Sequence, residues 1–174
     1  MNNTISEFIK LNICILTISS SRTSANDKSG DVLEKKISEF GHLIYERQIV
    51  KDDKNEIQKK IIDWGNNKKI DVIITTGGTG LTGSDVTPEA LGDIFEKTID
   101  GFSIIFHQIS YKKIKTSTIQ SRATAGIYNN KFIFALPGSP GAVADGWDEI
   151  LKFQLDSRHK PCNFVDIMPR LTED

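Results

Sequence analysis

The sequence predicts an α/β three-layer sandwich with a mostly parallel central sheet. Three observations carry this. Short apolar runs alternate with amphipathic stretches of helical spacing. The runs are apolar at nearly every position, the mark of strands covered on both faces. The 174 residues, with 38% hydrophobic and 26% charged, suit one soluble core and argue against disorder.

The first run, Leu11 to Ile18 (LNICILTI), reads as a buried strand, followed by a polar loop from Ser19 to Ser29. Ser29 is the expected cap of a first helix with Asp31 in its opening turn, Leu33, Ile37 and Phe40 on its apolar stripe, and Gly41 at its end. His42 to Val50 is a second strand. The next helix begins near Asp52 or Asp53 and carries Ile57, Ile61 and Ile62 on one face. Asp71 to Thr75 is a third strand and runs into a glycine-rich segment. A helix then starts with Thr87 as cap and Pro88 at its first position, turning Leu91, Ile94 and Phe95 inward. Another helix spans Gly101 to Tyr111, where Ile104, Ile105 and Tyr111 form either an interface or a core face. Lys131 to Leu136 is a further buried strand. The last long helix carries Val143, Trp147, Ile150, Leu151 and Leu155, and the chain beyond Arg158 reads as irregular. No repeat or linker divides this pattern. The expected organisation is an N-terminal extension over 1–10, one domain over 11–158 and a C-terminal tail over 159–174.

Charge and composition narrow the function. Lys plus Arg number 22 against 23 Asp plus Glu, a net charge of −1, which lacks the basic footprint of a general nucleic-acid binder. No apolar run approaches the roughly 20 residues that span a bilayer, so no membrane partner is expected. Met1 to Lys10 has neither the basic nor the apolar region of a secretory signal. Cys14 and Cys162 have no framework spacing, which points to a reducing, cytoplasmic setting. His42, His107 and His159 show no ligand spacing with them, against zinc or a Cys–His pair.

In open α/β sheets ligands bind beyond the carboxyl ends of the strands, and the loops expected there are unusual. Thr75 to Gly83 (TTGGTGLTG) offers peptide amides able to converge on an anion, with threonine hydroxyls as further donors. The plain alternative is a tight strand-to-helix turn. The segment contains G-x-G-x-x-G from Gly78 to Gly83, but a dinucleotide fingerprint opens a helix at once in the first βαβ unit, and here the helix waits for Thr87. Walker A chemistry is missing its Lys-Ser/Thr pair. Pro137 to Gly141 (PGSPG) precedes a helix N-terminus, a natural anion site and also common turn chemistry. Asp85 follows the glycine-rich loop, and Asp52 and Asp53 follow the second strand, so all three are expected at the same crevice. Carboxylates beside bound phosphate call for an intervening cation, and Mg²⁺ accepts one or two carboxylates with phosphate oxygens and water. Helix capping is the alternative, above all for Asp53. Arg122, in the hydroxyl-rich stretch Thr116 to Gly126, is expected to meet phosphate or a neighbouring carboxylate, with a plain surface or interface ion pair as the alternative; Arg22, Thr23 and Asp27 are weaker candidates.

Taken together, Thr76 to Gly80 (TGGTG), Ser84 to Ala90 (SDVTPEA), Ser121-Arg122 and Leu136 to Pro140 (LPGSP) resemble the MoaB/MogA family of molybdenum cofactor biosynthesis proteins. The resemblance runs from the first strand through the last helix. Thr116 to Gly126 and Arg158 to Phe164 look more like the MoaB branch. It implies the molybdopterin-binding fold of that family and adenylylation of molybdopterin with Mg-ATP, with release of pyrophosphate. It also implies two functional aspartates, matched by Asp52 (or its neighbour Asp53) and Asp85. On this reading Asp52 and Asp85 serve catalysis, and Asp52, Asp53 and Asp85 are the metal candidates. Thr76, Gly77, Gly78, Thr79, Gly80, Ser121, Arg122, Pro137, Gly138 and Ser139 bind substrate. The expected partners are molybdopterin and ATP, and the expected assembly a homotrimer or homohexamer. The alternative is a non-catalytic molybdopterin carrier or scaffold in the same pathway.

Overall fold

The computed structural model describes residues 7–173. Residues 1–6 of the expected extension, and residue 174, lie outside the described residues. Six strands form one sheet in the order β2-β1-β3-β6-β5-β4. These are β1 (Asn12–Ile18), β2 (Leu43–Val50), β3 (Val72–Thr76), β4 (Lys97–Thr98), β5 (Thr124–Tyr128) and β6 (Lys131–Leu136). β1 runs parallel to β2 and β3, and β3 parallel to β6; β5 is antiparallel to β6 and to β4. The sheet is mostly parallel, as the sequence predicts.

Side-chain alternation along the central strands builds two cores. Ile13 and Ile15 of β1, Val72 and Ile74 of β3, and Phe132, Phe134 and Leu136 of β6 face one layer. That layer holds α1 (Lys28–Phe40), α4 (Asp100–Ile114) and α5 (Pro140–Gly146). Cys14, Leu16, Ile73, Ile133 and Ala135 face the other, which holds α2 (Lys54–Gly65) and α3 (Thr87–Gly92). A strand with both faces covered must be apolar throughout. This is why the runs read as unbroken.

Several local expectations are corrected. Asp27, not Ser29, caps α1, its carboxylate accepting the Gly30 N–H; Ser29 is buried and bonded sideways instead. Gly41 ends α1 in the left-handed region, φ 109°. On α2 the buried stripe is Ile57, Ile61 and Trp64, while Ile62 is 36% exposed, one position round the helix from Ile61. Thr87 does not cap α3, because its hydroxyl donates to the Gly77 carbonyl. α3 also ends at Gly92, so Ile94 and Phe95 pack from beyond it. β4 and β5 are strands the sequence pattern does not predict.

α5 leads into a π turn over Trp147–Leu151 and then α6 (Lys152–Gln154). The tail, expected to be irregular, contains a short helix. α7 (Phe164–Ile167) buries Val165, and Phe164, Met168 and Leu171 pack against the first core. At the other end Phe8 meets Phe40 and His42, with ring centroids 5.7 and 5.0 Å apart. Cys14 is buried and Cys162 exposed, both free thiols. No helix among the described residues is long and apolar enough to cross a membrane.

Candidate functional site

The parallel strands all end on one side, and their loops enclose a crevice of about 350 Å³. Five segments line it. Ile18, Ser19 and Arg22 follow β1, Asp52 follows β2, and Gly77 to Gly80 with Asp85 follow β3. Gln120 and Ser121 precede β5, and Pro137 and Gly138 follow β6. A larger apolar cleft, about 510 Å³, lies near α4 and α7 among Ile99, Phe102, Ile105, Phe153 and Phe164, away from these loops.

The β3 loop owes its path to glycine at two positions. Gly77 has φ 106°, and a Cβ there would sit 2.2 Å from the Ile18 carbonyl oxygen. Gly78 has φ 63°, and a Cβ would meet the Thr87 hydroxyl at 2.4 Å. One side of the loop is pinned: the Gly77 N–H donates to the Leu136 carbonyl, 3.0 Å, so this amide is not free for a ligand. Thr87 donates from its N–H to the Gly78 carbonyl, 3.0 Å, and from its hydroxyl to that of Gly77, 2.9 Å. The N–H groups of Gly78 and Thr79 take no acceptor among the described residues. An anion in the crevice would satisfy them.

Asp85 folds back on this loop. Its carboxylate accepts the Thr82 hydroxyl at 2.6 Å and the Thr82 N–H at 2.9 Å. The Thr82 hydroxyl above all holds this carboxyl below the usual range; partial burial opposes, and the Thr82 and Gly80 amides and the Arg122 charge assist. Asp85 is therefore an anion at neutral pH. Asp52 accepts the Ser20 N–H at 2.6 Å, tying the β2 loop to the β1 loop. Asp53 is the cap of α2, accepting the Glu56 N–H at 2.9 Å, and does not line the crevice. Of the two neighbours, Asp52 is the one that lines the crevice.

Thr76, Ser139 and Arg122 support the walls rather than form them. The Thr76 hydroxyl is buried and donates to the Pro137 carbonyl, 3.0 Å, joining the ends of β3 and β6. Ser139 caps α5 through the Ala142 N–H. Arg122 directs all three guanidinium nitrogens into the β3 loop and α3. Nε donates to the Gly80 carbonyl at 2.8 Å, Nη2 to that of Asp85 at 2.7 Å, and Nη1 pairs with Glu89. The Ser121 Oγ is buried without a partner, beside the crevice. Ile18, Ser19 and Gln120 have no motif of their own and are not singled out by the sequence, and Arg22, a weaker candidate there, also lines the crevice.

The donor set fits Mg²⁺ bound together with a phosphorylated ligand. No group of three or more His, Cys, Asp or Glu among the described residues could hold a metal unaided. Asp52 and Asp85 line the same crevice as the Gly78 and Thr79 amides, and the two carboxylates would hold a magnesium ion that also takes phosphate oxygens and water.

Comparison with known proteins gives the chain relatives in sequence and in fold. Residues 14–157 match a family model described as "Probable molybdopterin binding domain". The chain is 42% identical over 164 residues to molybdenum cofactor biosynthesis protein B of Escherichia coli (strain K12), covering 94% of this chain and 96% of that one. A crystal structure of a molybdenum cofactor biosynthesis protein B superposes with TM-score 0.85 at 35% identity, covering 95% and 98% of the two chains. The tungsten cofactor synthesizing protein MoaB from Pyrococcus furiosus does so with TM-score 0.73 at 32% identity, covering 82% and 91%.

Proposed function

The chain belongs to the MoaB/MogA family of molybdopterin-binding domains, and from that premise we propose that it adenylates molybdopterin with Mg-ATP. The observation that carries this reading is the meeting of Asp52 and Asp85 with the open amides of Gly78 and Thr79 in one crevice. Catalysis of this kind asks the protein for position and charge more than for covalent chemistry.

An oxygen of the terminal phosphate of molybdopterin bonds to the α-phosphorus of ATP. The bond from that phosphorus to the oxygen bridging the β-phosphate breaks, and pyrophosphate leaves with the electron pair. The attacking oxygen is already anionic at neutral pH, so no general base is required. Asp52 and Asp85 would hold Mg²⁺, which supplies neutralising charge to the crowded phosphates. The Gly78 and Thr79 amides fix phosphate oxygens without rearranging, because the loop is pinned through Gly77 and Thr87. Ser121 and the Pro137-Gly138 turn line the part of the crevice left for the second ligand.

The test is pyrophosphate released from ATP in the presence of molybdopterin. The wild-type chain is expected to release it only when the pterin is supplied. Asp85→Asn is expected to lower the rate at least about 100-fold, with a thermal midpoint close to wild type because the site is at the surface. Equal turnover by that variant would remove Asp85 from the mechanism. Tight molybdopterin binding with no pyrophosphate release would replace the transferase with a non-catalytic carrier.

A further inference from the structure

The crevice has two carboxylates and, among the described residues that line it, one cationic side chain, Arg22. Arg122, the arginine favoured by sequence, commits each of its three nitrogens to Gly80, Asp85 and Glu89. Arg22 differs. Its Nη1 donates to the Ser29 Oγ and its Nη2 to the Gly138 carbonyl, both at 2.6 Å. A guanidinium has five N–H donors, so three remain without an acceptor among the described residues, on a side chain that is 27% exposed.

What holds this fork is unusual. Asp27 is fully buried, with its Oδ1 3.7 Å from Arg22 Nη1. It accepts the Thr17 hydroxyl at 2.7 Å, the Gly30 N–H at 3.0 Å, the Ser29 hydroxyl at 3.2 Å and Arg47 Nη2 at 2.9 Å. A carboxylate so deep persists only when its lone pairs are met. Ser29 joins the two groups, donating to Asp27 and accepting from Arg22. A buried acid thus sets the direction of an arginine that clamps the β6 loop and faces the crevice.

We infer that Arg22 takes the negative charge of the phosphate of the bound ligand, and that Asp27, through Ser29, is the positioning residue that aims it. The inference rests on the reading of the crevice as a phosphate site.

Calorimetric titration of the full chain with Mg-pyrophosphate and Mg-ATP at several salt concentrations tests it. Arg22→Gln is expected to weaken both ligands about 10- to 100-fold and to flatten the dependence of affinity on salt. Arg22→Lys is expected to recover part of that loss, since an ammonium keeps the charge but cannot span Ser29 and Gly138 together. Asp27→Asn is expected to weaken binding in the wild-type background and to add nothing in the Arg22→Gln background. Ser29→Ala serves in the same cycle should Asp27→Asn fail to fold. A wild-type chain that binds with an Arg22→Gln variant that binds as well overturns this assignment alone. Equal losses from Asp27→Asn and Ser29→Ala in both backgrounds overturn the positioning role. A wild-type chain that binds neither ligand overturns the phosphate reading and this inference with it.

Discussion

His42 shows how burial decides the behaviour of a single side chain. It is 3% exposed, rests among Phe8, Phe40 and Trp147, and accepts the Leu11 N–H on Nδ1. Burial drives its pKa down to about 4 from 6.5, although the Asp156 charge and the Leu155 backbone oppose that. The folded state therefore holds His42 neutral, while the unfolded chain takes up a proton near pH 6.5. The associated stability is complete above that pH and is lost as pH falls toward 4, by an amount on the order of 3 kcal/mol. Urea unfolding from pH 7 to pH 4 is expected to show this slope, and His42→Gln to flatten it. The same scale explains what the sequence revealed of the site. Gly77 and Gly78 announce themselves because only glycine fits their places. Thr76, Ser139 and Arg122 belong to the same motifs yet bond to backbone, and residue type alone does not separate a wall from its support.

Among the elements, those with strong periodicity were legible and those defined by context were not. β1, β3 and β6 are apolar on both faces and stood out. β5 did not, because it reads Thr-Ala-Gly-Ile-Tyr, with Gly126 leaving room for the Phe95 ring. β4 is two exposed residues that become a strand only by pairing with β5. α3 is the most dependent helix near the site: six residues, with no side-chain cap. Too short to persist alone, it is held by Leu91 in the core, by the Arg122–Glu89 pair, and by Gln58 donating to the Ala90 carbonyl at 3.0 Å. Leu91→Ala is expected to cost about 2–5 kcal/mol. Hydrogen exchange should locate the loosening in residues 78–92 before the sheet is affected, because the β3 loop is anchored to α3 through Thr87.

For the whole molecule, the outer surface of α4 stands out. Ile104, Ile105, Tyr111 and Ile114 are 57%, 44%, 53% and 52% exposed, and Ile119 just beyond is 74% exposed. The trimer or hexamer expected from the sequence would bury apolar surface of this kind. Light scattering is expected to give three or six times the 19.4 kDa chain mass, and Ile105→Glu to shift the population toward single chains. A wild-type protein of single-chain mass in dilute buffer would remove that expectation.

The two thiols, finally, differ in a way an experimenter can exploit. Cys14 lies inside β1, and its burial, with the nearby Glu46 charge, pushes its pKa up to about 12, while Cys162 is open to solvent. Thiolate is the reactive form, so a maleimide dye should attach once to the native protein and twice after denaturation, as intact mass will record. The molecule thereby comes with its own single-point label, ready for fluorescence studies with no cysteine engineering.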